Sequence, residues 1–119
     1  MNESMQRFEK QLIEWGYRPC TDPQYKDILK TVADRPGQKV FEQLYDAGTS
    51  EEIHRLVLLL PWEEPEVRRF GSDKGVTVAQ INLSPSAQCS APYLQFGNFD
   101  GSGKPLDRSA QELTERLFD

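Results

Sequence analysis

The sequence predicts an α+β fold: one small domain with N-terminal helices, a mainly antiparallel sheet of about four to five strands, and a C-terminal helix. Three observations predict it. Apolar residues recur at helical spacing near both ends of the chain, and β-branched and aromatic segments lie between them. Strand and helix patterns do not alternate regularly, as they do in a parallel α/β protein. The 119 residues suit a single domain over 1–119, with its helices packed on one face of the sheet.

The first helix is predicted over residues 3–15. Four apolar residues at spacings of three and four share one face: Met5, Phe8, Leu12 and Trp15. Gly16 marks the end of the helix, because glycine accepts the left-handed conformation that helix ends adopt. Two heptads are too few to favour a coiled coil, so we expect this face to pack in the core.

A second, short helix is predicted after Asp22, which serves as its cap, with Pro23 in the first helical position. Pro36 and Gly37 end it. The apolar residues on its face are Tyr25, Ile28, Leu29 and Val32.

The following segment, up to Pro61, fits either helices or a β-hairpin. As a helix, its second half has Thr49 as cap and Glu52 in a capping box. As a hairpin, it turns at residues 46–48, and the run Leu56–Leu60 suits a central strand that is covered on both faces. We favour the hairpin.

The C-terminal half is predicted to hold three more strands and a helix. The predicted strands are Val67–Phe70, Val76–Leu83 and Tyr93–Phe99, with loops at 71–75 and 84–92 and a turn at Asp100-Gly101. The last helix starts at Asp107 or Ser109. Its predicted buried side consists of Leu106, Ala110, Leu113 and Leu117.

Charge and hydropathy argue against several classes of function. The net charge of −5 is spread evenly and forms no basic stripe, so we expect no direct nucleic-acid binding. The longest apolar run, Leu56–Leu60, is far shorter than the roughly 20 residues that cross a bilayer, so we expect no membrane span. The charged N-terminus does not resemble a secretory signal, so we expect a cytoplasmic protein with Cys20 and Cys89 as thiols.

Patterns typical of catalytic, metal or cofactor sites are incomplete. His54 is the single histidine and lies beside an apolar run, which favours a structural or surface role. Metal-ligand pairs at zinc spacing are missing, so no metal and no cofactor are predicted. The glycine-rich stretch 98–105 has Asn98 and Pro105 where a phosphate-binding loop needs glycine and a hydroxyl. As a calcium loop, it has Ser109 where a bidentate glutamate is required.

The candidate site is a protein-binding segment, Trp62–Phe70, whose backbone is stiffened by Pro61 and Pro65. Its candidate contact residues are Trp62, Glu63, Glu64, Glu66, Arg68, Arg69 and Phe70. Tryptophan and arginine are enriched at the energetic centres of interfaces, and a stiff segment loses less entropy on binding. In the alternative interpretation, Trp62 and Phe70 fold back onto the core while the charges face water.

These observations lead to the hypothesis of a small, soluble, non-catalytic protein-binding module of the adaptor, immunity-protein or inhibitor type. The partner is expected to be another protein with a basic or mixed-charge surface. One alternative is an enzyme or small-ligand binder that uses the loop Gly97–Lys104, and another is an acidic nucleic-acid mimic. A homo-oligomer through the sheet edge or the first helix is left open.

Overall fold

The fold is α+β and its sheet is a five-stranded antiparallel meander, as predicted. The computed structural model describes residues 3–20, 23–46, 52–83 and 93–118. The described helices are α1 (Glu3–Glu14), α2 (Lys26–Val32, preceded by a 3₁₀ turn at Pro23–Tyr25), α3 (Glu64–Phe70) and α4 (Arg108–Phe118). The strands, in their order across the sheet, are β1 (Arg18–Pro19), β2 (Lys39–Asp46), β3 (Glu52–Pro61), β4 (Val76–Leu83) and β5 (Tyr93–Phe99).

The favoured hairpin is confirmed. β2 and β3 pair in antiparallel register, with Phe41 opposite Val57 and Lys39 opposite Leu59. All five residues of the apolar run Leu56–Leu60 are buried, which is possible only in a strand that is covered on both faces. The predicted turn, residues 46–48, begins at Asp46, the last residue of β2, and its residues 47 and 48 lie outside the described residues.

Helices cover both faces of the sheet, so the prediction of one helical face was wrong. α1 and α4 cover the face that carries Phe41, Val57 and Leu59. Leu29 and Val32 of α2 belong to the cluster on the opposite face, together with the even-numbered residues of β3. The physical reason is visible in β3: alternate side chains point to opposite faces, and an unbroken apolar strand therefore needs two covers.

In each of the two terminal helices, fewer of the residues predicted to be buried are found to be buried. Met5, Phe8 and Leu12 are buried as expected, but α1 ends at Glu14 and leaves the side chain of Trp15 47% exposed. In α4, Ala110 and Leu113 are buried, and the side chain of Leu117 lies outside the described part. Leu106 is also exposed because it precedes the first turn of α4, so its placement on the buried side was wrong.

The second helix starts later than predicted. Pro23 opens a 3₁₀ turn, and α2 itself begins at Lys26, so the predicted placement of Pro23 in the first α-helical position was wrong. The predicted cap, Asp22, lies outside the described residues. Strand β1 was not predicted. It has only two residues, too few for an alternating pattern to be recognised.

The connections next to the candidate site all lie at one end of the sheet. β2 begins, β3 ends, β4 begins and β5 ends there, since Lys39 is opposite Leu59 and Val76 is opposite both Pro61 and Phe99. The loop before β2, helix α3 and the turn after β5 are therefore neighbours in space. None of the described helices is long and apolar enough to cross a membrane.

Candidate protein-binding surface

The predicted strand Val67–Phe70 was wrong, because these residues form the second half of helix α3. Local chemistry explains the helix. Pro65 lies in the first turn, where its missing N–H costs nothing, and the Glu66 carboxylate accepts a hydrogen bond of 3.2 Å from the backbone N–H of Glu63. Gly71 ends the helix in the left-handed conformation, at φ 68°.

Arg35 anchors α3 to the sheet. Its Nε lies 3.1 Å from a carboxylate oxygen of Glu63, and one terminal nitrogen donates to the Pro61 carbonyl at 3.1 Å. The same nitrogen forms an ion pair with Glu66. Two of the three glutamates of the candidate segment are thus held by one arginine from the loop before β2. Arginine suits this role because its planar group can donate in several directions at once.

The aromatic residues of the segment form a stacked pair. The rings of Trp62 and Phe70 lie 4.9 Å apart at an angle of 21°, and the Arg69 guanidinium lies 4.8 Å from the Phe70 ring centre. Trp62 packs against Gly75 so closely that a Cβ atom there would fall 2.1 Å from the indole ring. The indole Nε1 is buried and has no hydrogen-bond partner among the described residues, so Trp62 is held by packing.

The burial of the segment agrees with the alternative interpretation, in which the two aromatic rings fold back onto the protein while the charges face water. Trp62, Glu66 and Phe70 are half-buried, as expected for side chains that fold back onto the protein. Glu63, Glu64, Arg68 and Arg69 are exposed. Glu64 and Arg68 form an ion pair one turn apart along the outer side of α3. The structure therefore brings all seven predicted residues together as one short, internally braced surface element.

The loop proposed as an alternative site, Gly97–Lys104, is adjacent to this element but satisfies its own polar groups. The Asp100 carboxylate accepts hydrogen bonds from the Ser102 amide at 2.8 Å, the Ser102 hydroxyl at 2.6 Å and the Lys104 amide at 3.0 Å. These bonds, the Ser102 hydroxyl above all, lower the pKa of Asp100 below its ordinary value. One oxygen of the Asp100 carboxylate, Oδ1, therefore accepts all three hydrogen bonds that stabilise the turn.

A second set of hydrogen bonds fixes the rest of this turn. Asp107 accepts the Ala110 amide at 2.8 Å, which caps α4, and accepts the Asn98 side-chain amide at 2.9 Å. Asn98 in turn accepts the Thr77 hydroxyl at 2.7 Å. From α1, the Ser4 hydroxyl donates to the Asp100 carbonyl at 2.9 Å. Each of these polar groups has a structural role.

Close packing also shapes the turn. A Cβ at Gly101 would lie 3.0 Å from Cβ of Lys74, in the loop that follows α3. The turn after β5 and the loop that follows α3 are thus in contact at this end of the molecule. The exposed charges there include both signs: Glu63, Glu64, Arg68, Arg69, Asp73, Lys74 and Lys104.

Two further reactive side chains among the described residues are Tyr17 and Cys20. Tyr17 is buried below α1, and its hydroxyl accepts a hydrogen bond of 3.3 Å from Arg55. Burial raises the pKa of Tyr17, and the Arg55 contact only partly opposes that effect. Tyr17 is therefore protonated at neutral pH. Cys20 is half-buried and packs against the α2-side core.

Two predicted features lie outside the described part of the chain: the side chain of His54 and the whole of Cys89. Within the described residues, no group of three or more histidine, cysteine or acidic side chains is arranged to hold a metal ion.

The sequence reasoning missed Arg35 and Gly75, the two residues that brace the candidate segment. Arg35 is separated from Glu63 by the whole β2–β3 hairpin, so no local spacing connects them. Gly75 was assigned to the loop 71–75 as a turn residue, although its role is to leave room for Trp62. Comparison with protein-family models, curated proteins and solved structures finds no match to this chain.

Proposed function

We propose that this chain is a non-catalytic protein-binding module whose contact surface is centred on α3 and the preceding Trp62. The observation that supports the proposal is the Arg69, Phe70 and Trp62 cluster, in which the guanidinium and both rings lie within 5 Å of the next group. Arginine and aromatic side chains dominate interface energies, and a cluster that is already ordered loses little entropy on binding.

The braced geometry also supports this function. Arg35 fixes both ends of the first turn of α3, and Gly75 fixes the position of the indole ring. The element therefore presents Arg68 and Arg69 to solvent from a rigid base. A partner gains the binding energy of these groups without ordering the loop that carries them.

Charge favours a partner with a mixed-charge surface. Exposed acidic and basic residues alternate over this end of the molecule, so a uniformly basic or uniformly acidic partner would meet like charge somewhere on it. We place the protein in the cytoplasm, where an adaptor, immunity protein or inhibitor with reduced cysteines would act.

Affinity capture from a lysate of the host organism tests the proposal. The immobilised wild-type chain is compared with Arg69→Ala and with a matched control, Lys10→Ala, which removes an exposed cation from α1. We expect a protein that the wild type and the control both retain and that Arg69→Ala loses, with unchanged thermal midpoints in all three chains. Equal capture by all three chains, or capture by none, would contradict the proposal.

A further inference from the structure

Strand β5 is an edge strand whose outer side is only partly covered. It is the last strand in the sheet order, so one row of its backbone groups points away from β4. The Asn98 carbonyl belongs to this outward row, because it accepts the Leu106 amide at 2.8 Å from outside the sheet. Outward-pointing residues alternate along an antiparallel strand, so Phe96 and Leu94 belong to the same row.

The segment that follows β5 covers the outer edge of this strand only in part, and most of the outward backbone groups of Phe96 and Leu94 lie beyond it. The outward bonds at Asn98, together with the bridge between Phe99 and Pro105, close one end of the edge. At Phe96, the carbonyl accepts the Ser109 hydroxyl. Within the described part of the chain, the Phe96 amide and both backbone groups of Leu94 have no hydrogen-bond partner across the edge.

The side chains beside the open edge are apolar and exposed. Leu94 is 41% exposed and Phe96 is 39% exposed, and both stand on the α2 side of the sheet, in line with Ile81 and Ala79 of β4. Natural edge strands commonly carry a lysine or another charge that discourages pairing with a further strand. β5 carries no charged residue from Tyr93 to Phe99.

We propose that the β5 edge pairs in antiparallel orientation with the β5 edge of a second copy of this chain. With Gln95 on the two-fold axis, Leu94 of one copy is opposite Phe96 of the other. Each such pair exchanges two N–H···O=C bonds, so the symmetric contact forms four. The Phe96 carbonyl has a second lone pair for this bond besides the one directed at Ser109.

Charge complementarity favours a second copy as the occupant. An uncharged strand meets no like charge when it pairs with itself, although the chain carries a net charge of −5. Gln95 donates to the Ser109 hydroxyl at 3.3 Å and to Glu112 at 3.2 Å, so the two-fold axis passes close to α4. It sets the two α4 helices in opposite directions, so the end that carries Arg108, which lies 3.7 Å from Glu112 of its own chain, is next to the half of the other helix that carries the exposed Glu115.

This interface uses a different surface from α3, so it stands whether or not α3 binds a partner. Sedimentation of the full chain from about 1 μM to about 1 mM tests it. We expect the mass to rise from 13.7 kDa to twice that value with concentration. Over the same range, the amides of Leu94 and Phe96 should become protected from hydrogen exchange. A chain that remains at 13.7 kDa at the highest concentration would overturn the proposal.

Two variants locate the contact. Leu94→Lys places a charge in the apolar pair and is expected to raise the dissociation constant at least about tenfold, while Ile13→Lys, at an exposed position of α1, leaves it unchanged. Phe96→Pro removes an outward amide together with the exposed ring, and it leaves the amides directed at β4 in place, so the β4 ladder keeps its bonds while the dimer is lost. Dimerisation that survives Leu94→Lys, or that is lost equally in Ile13→Lys, would show that another surface is responsible.

Discussion

At the scale of single residues, the position of the Trp62 ring depends on the absence of a side chain at Gly75. The indole occupies the space that a Cβ would need, and the nearest contact would be 2.1 Å. The ring is held there by this contact and by Phe70, without a hydrogen bond from its Nε1 to the described residues. A change at Gly75 is therefore transmitted directly to the aromatic cluster.

We predict that Gly75→Ala lowers the free energy of unfolding by about 1–3 kcal/mol, because the new methyl group overpacks the indole. In a Trp62→Ala background, the same change should have almost no effect, since the clashing ring is gone. Urea denaturation of the four chains of this double-mutant cycle measures the coupling. If Gly75→Ala lowers the free energy of unfolding equally in both backgrounds, glycine is required there by the backbone conformation and not by the space that the Trp62 ring occupies.

Asp100 gives a prediction about pH. Its hydrogen bonds hold its pKa below the ordinary 3.8 in the folded protein, so its ionised form stabilises the fold above that pH. As the pH falls from 3.8 through the lowered folded pKa, this contribution is lost. We expect the stability difference between the wild type and Asp100→Asn to be constant from neutral pH down to about 5 and to shrink steadily below about 4.

Denaturation curves of both chains between neutral and acidic pH measure this difference. A gap that stays constant down to pH 2 would contradict the assigned role of the carboxylate, since no proton would then be linked to it.

At the scale of elements, α3 is a short helix that depends on tertiary contacts. Seven residues are too few for a stable helix in isolation, so its capping and its attachment through Arg35 decide whether it forms. The sequence contains the local signals, namely Pro65, Glu66 and Gly71, but the β-branched and aromatic content of Val67–Phe70 predicts a strand. The capping residues and the contacts of the distant Arg35 stabilise a helix despite the local preference of this segment for a strand.

We predict that Arg35→Ala destabilises the protein by about 1–3 kcal/mol, because the half-buried Glu66 loses its ion pair and the Pro61 carbonyl loses the Arg35 donor. The matched control is Arg108→Ala, which breaks an exposed pair with Glu112 and is expected to cost less than about 1 kcal/mol. Thermal unfolding followed by tryptophan fluorescence measures both. Equal costs would show that Arg35 is an ordinary surface cation.

The residues of the candidate site were predictable from the sequence, but the contacts that hold them in place were not. The seven residues of the segment are contiguous, so sequence reasoning found them as a set, together with the proline stiffening that accompanies them. Their bracing by Arg35 and Gly75 depends on which loops meet at one end of the sheet. That is a property of strand pairing over long sequence separations, and no spacing within the segment encodes it.

At the scale of the whole molecule, the fold is a sheet between two unequal helical layers. The sequence predicted the α+β class, the hairpin and the β4 and β5 strands, because their apolar patterns are long and bounded by turn residues. It did not predict the second layer. The run Leu56–Leu60 indicated a strand covered on both faces, but the helix that supplies the second cover, α2, is only seven residues long.

We predict that Leu58→Ala and Leu59→Ala are both strongly destabilising, by about 2–5 kcal/mol each. The two side chains belong to opposite faces of β3, and both are fully buried. Chemical denaturation of each variant measures the cost. If the cover on the α2 side were loose, Leu58→Ala would cost far less than Leu59→Ala, and the two-layer description would be wrong.

The most direct test of the proposed function is calorimetric titration of the captured partner into the wild-type chain, Arg69→Ala and Lys10→Ala. If the Arg69, Phe70 and Trp62 cluster is the centre of the interface, Arg69→Ala weakens binding at least about tenfold, equivalent to about 1.4 kcal/mol, and Lys10→Ala leaves it unchanged. Equal affinities for all three chains would contradict a binding surface at α3.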